Sequence, residues 1–226
     1  MPYRRFAIYH LPAGPLGEFG GAWLGWDARE GRALPRPEIA GLPDEAETLT
    51  AQPMRYGFHA TLKAPFRLAE GHSPEDLAAR AERVCDHLVP FALELELRRD
   101  WGFVALRPRR QPPELMALEQ VLVTRLDDLR AALTPEERER RKPDALPAGA
   151  RRHLDHWGYP FVLDQFQYHL TLSNGLPSAD AQALCHALAP VLAPLIRAPM
   201  PVQAVALMGE DAEGRFHMIR EIALRG

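Results

Sequence analysis

Apolar and polar positions alternate with a period of two through residues 54 to 68, MRYGFHATLKAPFRL. That period predicts a strand with Phe58, Ala60 and Leu62 on one face and His59, Thr61 and Lys63 on the other. One face belongs to a core; the other is polar enough to line a cleft. Residues 3 to 11, YRRFAIYHL, place aromatic and β-branched side chains ahead of PAGPLG, which predicts a first strand and then a loop. Residues 34 to 53 carry prolines and acids without periodicity and predict loop, with one short helix at 43 to 48. From Ser73 the period lengthens to that of a helix. Ser73 is the expected N-cap and Pro74 the first helical residue, and Leu77, Ala81, Val84, Cys85 and Leu88 form the apolar stripe. Alternation returns in FALELELRRDWGFVALRP, residues 91 to 108, and breaks around 99 to 102, as in a hairpin. Residues 113 to 133 predict a helix through Leu115, Leu118, Val121, Leu122, Leu126 and Leu129.

The second half follows the same order. QYHLTLS, residues 167 to 173, predicts another polar-faced strand; NGLPSAD leads into a helix containing Cys185; PVQAVALM, GEDAEG and RFHMIREIAL predict strand, turn and strand. His59 to Trp101 and His169 to Asp211, the steps to the two hairpin turns, both span 42 positions. The expectation is therefore an α+β fold, a single bilobal, pseudo-twofold domain with two antiparallel sheets flanked by helices around a central cleft. Lobe one takes about 1 to 112, a helical connection about 113 to 150, and lobe two about 151 to 226, with exchange of strands between lobes left open. The apolar stretch 179 to 200 is broken by Asp180, Gln182, His186, Pro190, Pro194 and Arg197, so it predicts a helix packed on a sheet rather than one spanning lipid.

Both polar faces carry a histidine and, two residues on, a threonine: His59 and Thr61, His169 and Thr171. With six threonines and nine histidines in 226 residues, two such pairs would arise by chance at roughly the 2% level. Turned toward one cleft, the strands supply two imidazoles, of which one accepts a proton from an attacking oxygen while the other donates one to a leaving alkoxide. The hydroxyls of Thr61 and Thr171 are placed to hydrogen-bond the non-bridging phosphate oxygens where charge develops. Lys63 shares this face and is one of only two lysines, which makes it a candidate for a second phosphate. Arg55 and Gln167 have the same parity and are candidate substrate contacts. On the first strand, Tyr9 and His10 point to opposite faces, and either can be the one that looks into the cleft. His153 and His156, near Asp155, lack a further ligand at zinc-like spacing, so no metal and no other cofactor is expected.

The paired motifs His59-Ala60-Thr61-Leu62 and His169-Leu170-Thr171-Leu172 resemble the signature of the 2H phosphoesterase superfamily. RFAIYHLP, GAWLGWD, YGFHATLKAPF and GYPFVLDQFQYHLTLS are similar to the branch found with phosphonate-utilisation (C-P lyase) genes, and this likeness runs over nearly the whole chain. The resemblance implies metal-independent chemistry on cyclic phosphates or short RNA ends, with His59 and His169 as the acid-base pair and Thr61 and Thr171 as phosphate ligands. It also implies a place near phosphonate catabolism, where opening 5-phosphoribosyl 1,2-cyclic phosphate to ribose 1,5-bisphosphate is a fitting reaction. The alternatives are an RNA 2',3'-cyclic phosphate or 2'-5' phosphodiesterase, and a protein that binds a phosphorylated metabolite without turning it over.

Charge narrows the substrate. A formal net charge of -3 provides no broad basic surface for a long nucleic acid, so a small phosphorylated substrate is favoured. The basic run within 134 to 152 is nearly cancelled by its acids and reads as an exposed helical end and linker. Two cysteines inside predicted helices and a first segment too short in apolar residues for a signal peptide predict a reducing cytoplasm and no membrane partner. Nothing in the pattern specifies an oligomeric state.

Overall fold

A computed structural model describes residues 3–226. The strands are β1 (Arg5–His10), β2 (Trp26–Asp27), β3 (Arg32–Ala33), β4 (Ala60–Phe66), β5 (Phe91–Leu93), β6 (Leu95–Arg98), β7 (Ala105–Pro108), β8 (Leu170–Thr171), β9 (Met200–Val202), β10 (Ala204–Glu210) and β11 (Phe216–Ala223). The helices are α1 (Gly14–Leu24), α2 (Ala46–Thr50), α3 (Pro74–Cys85), α4 (Pro113–Arg125), α5 (Pro135–Glu139), α6 (Ala148–Trp157) and α7 (Ser178–Leu195). The architecture is α+β, with two antiparallel sheets flanked by helices.

One sheet runs β11-β10-β1-β4 and the other β6-β7-β8. Each holds one His-x-Thr strand, and each joins it to a hairpin from the opposite half of the chain: β4 shares a sheet with β10 and β11, while β8 pairs with β7. Two short strands, β5 and β9, pair across the halves as well. The core follows the same rule, since Leu62, Leu77 and Leu106 belong to one apolar cluster with Leu170, Leu184 and Leu188.

Local sequence explains most of these elements. Helix α3 begins in a capping box, in which the Ser73 hydroxyl accepts from the Asp76 amide and the Asp76 carboxylate accepts from the Ser73 amide. Its stripe of Leu77, Ala78, Ala81 and Cys85 is buried. Helix α7 carries Pro190 and Pro194 on its exposed side, and buries Ala181, Leu184, Leu188 and Leu192 at helical spacing. Helix α1 replaces the loop expected after the first strand. Glycine content hid it, yet Gly20 is required by packing, because a Cβ there would lie 2.0 Å from the Phe58 ring.

The first motif strand departs from strict alternation. Its pairing with β1 shifts twice, from Tyr9 opposite Thr61 to Ile8 opposite Lys63 and then Phe6 opposite Phe66. Each shift inserts an extra residue on β4, a bulge that re-aims the side chains beyond it. Thr61 and Ala64 therefore face one side while Lys63 faces the other. No helix is long and apolar enough to cross a membrane among the described residues.

Candidate functional site

Both motifs open onto one cleft of about 310 Å³, whose walls include Tyr9, Tyr56, His59, Thr61, Phe103, Arg141, Tyr159, His169 and Thr171. The two imidazoles are held in the same way. His59 Nδ1 lies 2.9 Å from the Gly57 carbonyl, and His169 Nδ1 lies 2.7 Å from the Gln167 carbonyl. A carbonyl only accepts, so in both rings Nδ1 carries the proton and donates it, leaving Nε2 as the basic nitrogen. His59 Nε2 is 3.2 Å from the Thr61 hydroxyl. In each case the anchoring carbonyl is two residues back, a repeat of backbone geometry that matches the repeat of sequence.

Aromatic walls enclose both rings. Tyr9 stacks on His59 at 3.9 Å between centroids, with Tyr56 at 5.9 Å. His169 meets the edge of Trp101 at 5.5 Å and Phe103 at 5.8 Å. Burial against these rings disfavours the imidazolium and pulls His59 down to about 4; the Gly57 carbonyl opposes this, and the field of His169 adds to it. His169 is also lowered, first by burial, with the Gln167 carbonyl opposing and Arg107 assisting. Mutual influence of the two histidines is expected of groups that share one cleft.

The other predicted contacts distribute unevenly. Tyr9 lines the cleft, and His10 points the opposite way, sharing a 2.6 Å hydrogen bond with the Tyr168 hydroxyl. Lys63 does not reach the cleft. The bulge turns it inward, where Nζ donates to the Val123 carbonyl at 2.9 Å and pairs with Asp127 at 3.2 Å, and burial lowers it to about 8. Arg55 is likewise absent from the walls. Residues 53 to 56 form a 3-10 turn, so strand parity does not extend to it, and its Nε donates to the Gly214 carbonyl. Gln167 sits on the rim of a neighbouring pocket, accepts from Arg107 at 3.2 Å, and contributes its carbonyl to His169. His153 is bonded to Asp164 and His156 packs on Trp157, so the two do not converge.

Three features escaped the pattern. A second pocket of about 560 Å³ meets the cleft at Thr61 and His169, and is walled by Trp101, Phe103, Tyr159 and Phe161. At its edge Glu119 is fully buried; burial pushes its carboxyl up to about 7 while the Leu163 amide, 3.2 Å away, opposes. A glutamate on the Leu115–Leu118–Leu122 stripe of α4 was the available signal. Arg141, from the run taken for a solvated linker, lies in the cleft wall over the Tyr159 ring at 4.9 Å. Nothing in the sequence marks it apart from its neighbours.

The chain is similar over 184 residues, at 36% identity, to a protein named ribose 1,5-bisphosphate phosphokinase PhnN in Janthinobacterium sp. (strain Marseille), covering 80% of this chain and 41% of that one. A protein of the same name in Laribacter hongkongensis (strain HLHK9) is 33% identical over 224 residues, covering 97% and 52%. The chain thus spans about half the length of the curated relatives it matches. Among solved structures, E. coli LigT complexed with 3'-AMP aligns over 100% of both chains at 17% identity and a TM-score of 0.46. A structure described as a phosphoesterase aligns over 99% of both at 15% and 0.42. Residues 61–217, taking in Thr61 and the whole second motif, match the model of the family described as "Protein of unknown function (DUF1045)", and the chain belongs to that family.

Proposed function

We propose that this chain is a 2H-type phosphodiesterase that opens a small cyclic phosphate with its two imidazoles. The observation that carries the reading is the shared cleft, in which each motif histidine donates Nδ1–H to a carbonyl two residues back and keeps Nε2 basic, with both motif threonines also in the cleft wall. One Nε2 takes a proton from water as its oxygen bonds to phosphorus; the P–O bond to the leaving oxygen breaks, and the other imidazolium protonates the alkoxide. The products are a phosphate monoester and a free hydroxyl, and the two histidines have exchanged protonation states. Thr61 and Thr171 hydrogen-bond the non-bridging oxygens as charge accumulates on them.

The favoured substrate is 5-phosphoribosyl 1,2-cyclic phosphate. Breaking its bond from phosphorus to O2 yields ribose 1,5-bisphosphate, the compound in the name of the kinases whose longer chains contain a segment like this one. A second reading, cleavage of nucleoside 2',3'-cyclic phosphates or 2'-5' linkages, is supported by the aromatic pocket that adjoins His169, since bases stack on such rings. Phosphorus NMR of each substrate with the protein, in the presence of a chelator, tests both. Turnover is expected to survive chelation, and His59→Ala and His169→Ala each to lower kcat/KM by about a hundredfold to ten-thousandfold. Undiminished turnover in either variant removes the proposal.

A further inference from the structure

We propose that Arg141, with Arg140 beside it, forms a subsite for a second phosphate group of the substrate, in a groove that continues the histidine cleft. The inference rests on the phosphodiesterase reading and names a part of the substrate that the reaction itself does not touch. The groove, of about 220 Å³, is lined by Arg67, Arg140 and Glu137, and shares Arg5, Tyr56, Pro65 and Arg141 with the cleft that holds the motifs.

Four guanidinium groups converge there, and their partners differ. Arg5 is tied to Glu210 through two bonds, at 2.5 and 2.6 Å, and Arg67 to Glu137 through two more, at 3.1 and 3.0 Å. Those two arginines are neutralised and act as walls. Arg141 and Arg140 have no carboxylate at ion-pair distance among the described residues, and their side chains donate no hydrogen bond there. Arg141 instead places its guanidinium carbon 4.9 Å from the centre of the Tyr159 ring, a cation–π contact that uses none of its N–H donors and leaves them for an anion.

The backbone under Arg141 is built to hold that position. Helix α5 starts in a capping box between Thr134 and Glu137, and the same Glu137 carboxylate accepts the Arg67 fork from the residue that follows β4. The last turn closes with the Arg141 amide donating to the Arg138 carbonyl, and Lys142 takes a left-handed conformation, φ 48°. A cation is therefore carried to the cleft by a segment anchored at the end of the first motif strand. This is the role that alternation assigned to Lys63, which the bulge in β4 turns inward.

A second phosphate has two chemical sources, the terminal phosphate of a sugar phosphate or the neighbouring phosphodiester of a short oligonucleotide. Three substrates distinguish them: 5-phosphoribosyl 1,2-cyclic phosphate, a dinucleotide ending in a 2',3'-cyclic phosphate, and a mononucleoside 2',3'-cyclic phosphate as the one-phosphate reference. In Arg141→Gln, kcat/KM relative to that reference is expected to fall about 10- to 100-fold for whichever two-phosphate substrate uses the subsite, the range for loss of a charged hydrogen bond. Arg141→Lys is expected to recover part of the fall, because it restores charge without the fork. Ratios unchanged for both two-phosphate substrates overturn the proposal. Calorimetric binding of ribose 5-phosphate separates this outcome from failure of the phosphodiesterase reading. Binding about tenfold or more weaker in Arg141→Gln, in a protein that turns over none of the substrates, upholds the subsite and rejects the reaction; equal binding rejects the subsite.

Discussion

Lowering the pH from 7 to 5 tests the two enclosed imidazoles against any ordinary histidine pair. His59 has its pKa lowered to about 4, and His169 lies below its usual 6.5. The pH dependence of kcat/KM reports the essential acid and base of the free enzyme, and for two coupled groups its limbs belong to the pair. Both limbs are therefore displaced to the acid side, whichever histidine is the base. At pH 5 a group titrating at about 4 is still about 90% neutral, whereas one at an ordinary 6.5 would be only about 3% neutral. On the alkaline side the required imidazolium disappears about tenfold per pH unit above its pKa. The expectation is that kcat/KM rises as pH falls from 8 toward 6 and is at least as high at pH 5 as at pH 7. The assay is initial-rate hydrolysis of uridine 2',3'-cyclic phosphate, a diester that does not titrate in this range, with circular dichroism confirming the native fold at each pH. An optimum at or above pH 7, or a tenfold fall between pH 7 and 5, would refute the argument that burial sets these pKa values.

Stability carries a related signature at His10, which is buried and whose folded pKa is about 3 against 6.5 unfolded. Its contribution is complete above pH 6.5 and is lost on acidification, by about 2 kcal/mol between pH 7 and 5; urea unfolding at both values should show that difference shrink in His10→Gln. Lys63→Met should cost about 1–3 kcal/mol in the same unfolding assay, because the Val123 carbonyl loses its buried donor. Its kcat/KM on all three substrates should stay near that of the wild type, since the side chain lies outside the cleft. Phe161 is 49% exposed on the aromatic pocket, and Phe161→Ala should lower the preference for a nucleoside cyclic phosphate over the ribose cyclic phosphate by about 5- to 100-fold if a base stacks there. An unchanged preference would leave the ribose compound as the better substrate reading.

The sequence exposes the parts of this molecule that depend on short-range repetition. Alternation located both motif strands and both hairpins, and helical spacing with Ser73 and Pro74 located α3. Helix α1 was not readable, because Gly14, Gly17, Gly20 and Gly21 argue against a helix until Phe58 is seen to need the space. Lys63 and Arg55 were misplaced for one reason. Parity along a strand survives only while the pairing register does, and β4 is bulged beyond Thr61 and begins after a 3-10 turn. Arg141 and Glu119 belong to the opposite case. Their placement is set by neighbours distant in sequence, Tyr159 for one and Leu163 for the other, and no local pattern encodes such a meeting.

The same division explains how the site is held. The tautomer of each imidazole is local, set by a carbonyl two residues back. The relation between the imidazoles is not. It depends on contacts that join the halves: the Trp23 indole donating to the Leu172 carbonyl at 2.7 Å, the His10–Tyr168 bond at 2.6 Å beside His169, and the Asn174 carboxamide donating to the Thr48 carbonyl at 2.7 Å while accepting from the Gln52 amide at 2.8 Å. With β10 and β11 in the sheet of the first motif, and β8 in the sheet of the first hairpin, neither motif can be positioned by its own half alone. The strand exchange therefore brings two copies of a short motif to one cleft, and it makes the spacing between the two imidazoles a property of the folded core.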